Sequence, residues 1–270
     1  MRCFKNAQES SQVTLLDRAF HYGDGCFTTA RLRGGQLELK AQHIARLKLA
    51  SERLFLNADL HLIEQSLSKI IEQDSNASGT VKIILSRGDG QRGYSLPDHP
   101  ADVWLFYYPQ PAADMQLEYL DCGLLQQRIG INMPNLAGLK TLNRLEQVML
   151  KQEADEHGWK EALAADVQGF IAEGVSSNCF IRIKDRWISP ELRYNGVHGV
   201  MRAEILARMH EHGIVCELRP VALTEIADIQ SLFFCNALSA MKAASHLDGV
   251  PLDTQACTDL FHILQLNQIR

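Results

Sequence analysis

Residues 17–31 read Asp17-Arg-Ala-Phe-His-Tyr-Gly-Asp-Gly-Cys-Phe-Thr-Thr-Ala-Arg31. Gly23 and Gly25 supply a tight turn, and the stretch from Cys26 to Leu32 alternates as a strand does. Along such a strand Phe27, Thr29 and Arg31 project to one side. A strand face carrying polar groups and an arginine is either the wall of a binding site or a solvated edge. Gly34-Gly35 then turns the chain and Gln36 to Leu39 return as a hairpin partner.

Working outward, Ile44, Leu47, Ala50 and Leu54 fall at helical spacing, as do Leu60, Ile63, Leu67, Ile70 and Ile71. Asn76-Ala-Ser-Gly79 breaks the second helix. Thr80 to Ser86 and Asp102 to Tyr108 are strands around the glycine-rich loop 87–100. Pro109-Gln-Pro-Ala-Ala113 suits a linker, because its prolines disfavour both helix and central strand. Beyond it the pattern predicts strands over 116–120, 161–166, 179–184, 187–189, 214–218 and 231–235, with helices over 142–157 and 201–212. The expectation is an α/β, mixed α+β chain of two domains: residues 1–109, a linker at 110–114, and a larger domain over 115–270.

Composition narrows the function classes. The 270 residues carry 27 Lys+Arg against 32 Asp+Glu, a net charge of -5, with 46% hydrophobic residues. That apolar content supports a packed core rather than disorder. The acidic surplus argues against nucleic acid as partner, since phosphate neutralisation needs a basic face. The start lacks an apolar signal region and the longest apolar run, Val103 to Tyr108, is strand-sized, so neither secretion nor a membrane span is expected. Seven scattered cysteines without a C-x-x-C spacing suit free thiols in a reducing cytoplasm, and no metal site is expected.

Four segments could carry chemistry. The first is residues 17–31. The second is Arg46 in His43-Ile-Ala-Arg-Leu47, either a snorkelling surface arginine or an anion ligand. Arg87 and Arg92 in the glycine-rich loop invite the same two readings, and Arg92-Gly-Tyr94 suits carboxylate capture by a guanidinium fork. The third is Asn135-Leu-Ala-Gly-Leu-Lys140-Thr-Leu-Asn-Arg-Leu-Glu-Gln147. Here Lys140 is either a snorkelling side chain or an amine able to attack an aldehyde. The fourth, Glu173-Gly-Val-Ser-Ser-Asn-Cys-Phe180, is either a turn or a loop lining a cofactor.

Together these segments resemble the fold type IV pyridoxal-phosphate enzymes, which include branched-chain and D-amino-acid aminotransferases and aminodeoxychorismate lyases. The shared blocks are Tyr22-Gly-Asp-Gly-Cys-Phe-Thr-Thr-Ala-Arg31, His43-Ile-x-Arg46-Leu, Lys140, Glu173-x4-Asn178-x-Phe180, Gly199-Val-Met-Arg202 and Cys235-Asn-Ala-Leu238. They run in the family's order over most of the chain. Val175 and Ser189 depart from the family pattern. Within the family, Phe27-Thr-Thr-Ala-Arg31, Arg92-Gly-Tyr-Ser95 and Gly138-Leu-Lys-Thr-Leu-Asn-Arg-Leu-Glu-Gln147 are most similar to the lyases.

The resemblance implies a fold of a small N-terminal α/β domain and a larger, barrel-like C-terminal α/β domain. It implies pyridoxal 5'-phosphate as cofactor, with Lys140 as the catalytic lysine that joins the cofactor aldehyde and moves protons. Glu173 is then the acid facing the pyridine nitrogen, with Asn178 in the same block. Arg46, the N–H groups of Val200 and Met201, and Asn236 are the phosphate ligands, and Arg144 lies near the ring hydroxyl. Thr29, Arg31, Arg92 and Tyr94 are implied for the small-molecule substrate, aminodeoxychorismate. The implied assembly is a cytoplasmic homodimer. Two alternatives stay open: an aminotransferase on the same scaffold, and a non-catalytic cofactor-binding protein.

Overall fold

The computed structural model describes residues 1–270, which divide into two compact units. The first consists of Met1–Ala113, Leu139–Asn143 and Arg270. Its elements are β1 (Arg2–Lys5), β2 (Gln8–Glu9), α1 (Arg18–Tyr22), β3 (Gly25–Arg33), β4 (Gln36–Leu37), α2 (Lys40–Arg53), α3 (His61–Ile71), β5 (Gly79–Ser86) and β6 (Asp102–Pro109). The strands pair antiparallel in the order β2-β1-β6-β5-β3-β4.

Period-two alternation decides which face of this sheet is covered. Val81, Ile83 and Leu85 on β5 are fully buried while Lys82 and Ile84 are half-buried. Leu47 and Ala50 of α2, and Ile63, Leu67 and Ile70 of α3, pack on the buried face. In α3 the buried positions follow i, i+4, i+7, one helix stripe.

The second unit is Asp114–Gly138 and Arg144–Ile269. It holds β7 (Leu117–Cys122), β8 (Leu124–Ile129), α4 (Leu145–Glu156), β9 (Leu163–Asp166), β10 (Ile171–Gly174), β11 (Asn178–Ile183), β12 (Arg186–Pro190), α5 (Val200–Glu211), β13 (Cys216–Arg219), β14 (Ser231–Asn236), β15 (Ser239–Leu247), β16 (Val250–Pro251) and α6 (Gln255–Ile263). One sheet runs β10-β9-β8; the other runs β13-β12-β11-β14-β15-β16, with β7 also pairing β15. The two ladders share a core in which Leu163 and Ile171 of the smaller meet Ile181, Leu232 and Phe234 of the larger. No helix is long and apolar enough to cross a membrane.

Two differences from the sequence pattern bear on the site. The helix expected to begin at Leu142 begins at Leu145, and Leu139–Asn143 belongs to the first unit rather than to a continuous 115–270 domain. The cause is backbone pairing. Phe27 N donates to Lys140 O at 2.9 Å and Leu142 N to Gly25 O at 3.0 Å, with Cys26 opposite Thr141. Residues held in that bridge cannot turn into the first coil of α4. The second difference is β10, where the sequence suggested a turn or loop: Ile171 to Gly174 is a buried strand with a bulge between Ile171 and Glu173.

Candidate active site

In the first unit the chain around Gly23 and Gly25 is built to receive the Lys140 segment. Gly23 caps α1 at φ 63°, and a Cβ there would lie 2.4 Å from Asn143 Oδ1. A Cβ on Gly25 would meet Leu85 O at 2.2 Å. Asn143 Nδ2 donates to Gly23 O at 3.2 Å. The main chain of Lys140 is thus pinned to β3, and its half-buried side chain carries Nζ over the Phe27 ring, 4.8 Å from the centroid. Lys82 Nζ lies at the same distance from that ring.

Strand register explains the company Lys140 keeps. Phe27 pairs with Ile84, Thr29 with Lys82 and Arg31 with Thr80, all on the sheet face opposite α2 and α3. Lys82 escaped the sequence reasoning, because one lysine in an apolar strand looks like a solvated position; only pairing puts it beside Thr29. Arg31 is tied by Nε to buried Glu38 at 2.7 Å and by Nη1 to Ala113 O at 3.2 Å. Its buried Nη2 has no hydrogen-bond partner, so one donor of the fork remains for an anion.

Arg46 is half-buried on α2. Burial lowers its guanidinium pKa to about 10, the nearby Cys26 acting weakly in the other direction. Its Nη1 donates to Thr28 Oγ1 at 3.3 Å, and Thr28 Oγ1 lies 2.6 Å from His43 Nδ1. The surface reading of Arg46 therefore fails; a guanidinium held out of water suits an anion ligand.

The glycine-rich loop is fastened at its base. Buried Arg87 binds Asp24 through Nε at 2.9 Å and donates to the carbonyls of Phe55 and Leu54, so it is no solvent-exposed loop arginine. Arg18 joins the same carboxylate at 2.8 Å and donates through Nη1 to Gly93 O. Tyr22 Oη accepts from Gly93 N, and the Tyr22 and Tyr94 rings are 5.6 Å apart. Arg92 and Tyr94 sit exposed on the tip that this anchor carries.

In the second unit Glu173 is buried on β10, and its Oε2 accepts from Val197 N at 2.9 Å. Asn178, buried at the start of β11, donates through Nδ2 to Val197 O at 2.8 Å and more weakly to Glu173 Oε2 at 3.4 Å. Glu173 and Asn178 are thus held together by the chain that leads into α5. At Gly199, which precedes α5, a Cβ would lie 1.9 Å from Asn178 Oδ1, and no side chain caps the helix. The first-turn N–H groups, those of Val200 and Met201 included, have no side-chain cap, and such groups suit an anion.

Arg144 is half-buried just before α4; burial lowers its pKa, and the Glu173 and Glu146 carboxylates oppose that. Arg202 points away from such a role, bonding Ser189 Oγ and Pro190 O. Asn236 is engaged in a turn: its Oδ1 accepts from Leu238 N and Ser239 N, and its Nδ2 donates to Ser177 Oγ at 3.1 Å. Glu161, fully buried and missed by sequence reasoning, accepts from the Ser176 and Ser177 hydroxyls and fixes the Ser176-Ser177 turn.

Comparison with known proteins bears on what such an arrangement does. The amino-transferase class IV family profile matches residues 25–246. The chain is 31% identical over 249 residues to aminodeoxychorismate lyase of Vibrio harveyi, covering 90% of each chain. Its fold matches the crystal structure of 4-amino-4-deoxychorismate lyase from Pseudomonas aeruginosa with a TM-score of 0.84 and 32% identity, over 96% of this chain and 98% of that one. A hypothetical aminotransferase from Mycobacterium tuberculosis in its PLP-bound form shares the fold at 19% identity and a TM-score of 0.81, over 99% and 98% of the two chains.

Proposed function

Since the chain belongs to the class IV aminotransferase family, we propose that it is a pyridoxal-phosphate-dependent carbon–oxygen lyase. Its reaction converts 4-amino-4-deoxychorismate into 4-aminobenzoate and pyruvate, a step of folate biosynthesis. The observation that carries this is the likeness, above 30% over nine-tenths of the chain, to lyases of that name.

The residues present fit the cofactor. Gly199 and the uncapped start of α5 offer N–H donors to a phosphate, and the desolvated Arg46 offers a cation. Glu173 is a buried carboxylate suited to a protonated ring nitrogen. When bound, pyridoxal phosphate supplies an electron-withdrawing ring that stabilises negative charge on the substrate carbon. Lys140 would bind its aldehyde through Nζ. Glu173 would keep the pyridine nitrogen protonated, and Asn178 holds Glu173. Arg46 and the N–H groups of Val200 and Met201 would hold the phosphate, and Arg144 would serve the ring hydroxyl. Asn236 contributes through the Ser177 turn that it shares with Glu161.

Once the substrate's own amine has displaced Lys140 from the aldehyde, the freed Nζ would take the proton from C4 of the substrate. The C3–O bond then breaks, and the enolpyruvyl group leaves and gains a proton to become pyruvate. Thr29, Arg31, Arg92 and Tyr94 engage the substrate, whose two carboxylates suit the unfilled Nη2 of Arg31 and the exposed Arg92. The resemblance supports a cytoplasmic homodimer. The test is direct: cofactor-saturated protein given aminodeoxychorismate and no keto acid should release pyruvate and 4-aminobenzoate in equal amounts. Absence of pyruvate, with conversion of bound cofactor to the pyridoxamine form by alanine, glutamate or leucine, would replace the lyase with an aminotransferase.

A further inference from the structure

Beneath the sheet face that carries Thr29 lies a buried polar chain that no step above uses. Thr28 and His43 are 0% and 1% exposed, on β3 and α2. His43 and Arg46 are three residues apart on one side of α2, and Thr28 sits against both. A threonine hydroxyl has one proton and two lone pairs. Arg46 Nη1 can only donate, so Thr28 Oγ1 accepts from it, and the hydroxyl proton can go to His43 Nδ1 when that nitrogen carries none. This ordering works only with a neutral imidazole. Burial first, and the Arg46 charge second, push the His43 pKa down to about 3, which keeps the ring neutral.

We propose that His43 and Thr28 are positioning residues for Arg46: neutral His43 fixes the direction of the Thr28 hydroxyl, which holds the guanidinium aimed for a phosphate. This rests on the reading of Arg46 as a phosphate ligand. A threonine with free hydroxyl rotation would accept from Arg46 in one rotamer and confront it with a proton in another. His43 removes that second state, so the guanidinium is ordered before the anion arrives. The device also accounts for two sequence features together, the His43-x-x-Arg46 spacing and the hydroxyl at Thr28 on the helix-facing side of a strand whose other face carries Thr29.

The test compares pyridoxal phosphate with pyridoxal, which lacks the phosphate, as ligands for full-length protein stripped of cofactor. Affinities are read by absorbance titration, with circular dichroism to confirm folding. Thr28→Val and His43→Leu should each reduce the preference for pyridoxal phosphate by about tenfold, leaving pyridoxal affinity within about twofold. Thr28→Ser, and His43→Asn with an amide oxygen near the Nδ1 position, should recover most of the preference. In an Arg46→Gln background Thr28→Val should have no further effect. If His43→Leu does not fold, Thr28→Val and Thr28→Ser carry the test alone.

Equal weakening of both ligands by Thr28→Val would mean a merely structural hydroxyl and overturn the proposal. An unchanged preference would overturn it too. The premise fails separately: if Arg46→Gln itself leaves the preference intact, Arg46 is no phosphate ligand and the positioning role falls with it. If Arg46→Gln abolishes the preference and Thr28→Val does not, only the positioning role is lost.

Discussion

Arg46 should be an anion site that costs the empty protein stability. Burial, as the first cause, lowers its guanidinium pKa from the ordinary arginine range to about 10. At about 1.4 kcal/mol per unit, this is a penalty of about 3 kcal/mol on the charged form in the folded state. The sign follows from linkage. Below about pH 10 the side chain is protonated both folded and unfolded, so the cost persists through the neutral range and is relieved only in strong alkali. Cys26 could offset it only as a thiolate, and burial pushes that thiol up to about 12. Arg46→Gln removes the charge while leaving an amide donor for Thr28. The cofactor-free variant should therefore be more stable than wild type by about 1–3 kcal/mol. For a chain of this size that is a rise of roughly 2–5 °C in Tm. Saturating pyridoxal phosphate should reverse the order, because wild type alone recovers the penalty when a phosphate meets the guanidinium. Thermal melts of both proteins, with and without cofactor, check this. A cofactor-free Arg46→Gln that melts below wild type, or equal stabilisation of both by cofactor, would refute the claim that the guanidinium is desolvated for an anion.

Glu173→Gln keeps an oxygen for Val197 N–H but removes the negative charge; kcat should fall by about a hundredfold, with cofactor affinity changing much less. Steady-state pyruvate release and cofactor titration separate the two. Asp24→Asn uncouples two buried guanidiniums, Arg18 and Arg87, and should destabilise the protein by about 3–5 kcal/mol. Denaturant unfolding measures that loss, and KM for the substrate should rise as the Arg92 loop loosens. His43 ordinarily titrates near 6.5 but is held at about 3 when folded. Its depressed value means the stability is present above pH 6.5 and lost as pH falls toward 3, about 2 kcal/mol of it by pH 5. The difference between wild type and His43→Asn in unfolding free energy, measured at pH 7.5 and 5, should shift by that amount; parallel pH dependence would contradict a neutral buried ring.

The elements that sequence pattern revealed are those whose periodicity comes from one buried face. Thr80 to Ser86 alternates because helices cover one side of its sheet, and α3 repeats because one stripe meets that sheet. The elements that escaped have no such contrast. The strand β15, Ser239–Leu247, is alanine-rich and buried at Ala240, Met241, Ala243 and Ala244, so neither alternation nor β-propensity marks it. The short β10 is buried on both faces and ends in Gly174, the composition of a turn. Among site residues, Lys140 and Glu173 stood out through their neighbours in the chain. Lys82 and Glu161 did not, since each acquires its partners from a strand or turn remote in sequence.

Linear domain boundaries failed at Lys140 for a reason that fits the role proposed for it. Lys140 and Arg144 are four residues apart, yet the contacts assign them to different units. A lysine that must present Nζ reproducibly needs a fixed backbone, and a flexible linker would not provide one. The solution here is to stitch residues 139–143 to β3 by main-chain bonds to Gly25 and Phe27, with glycine obligatory where that segment and the neighbouring strand crowd in. The same logic applies to charge. A chain with a net charge of -5 has no overall field to draw in anions, so attraction must act at short range. Arg46 is partly stripped of water, one donor of Arg31 stands unfilled, and α5 begins without a cap. Each of these is a local defect by the standards of stability alone. Their shared sign, hydrogen-bond donors that are desolvated or uncapped, is what the proposed phosphate and carboxylate contacts would use.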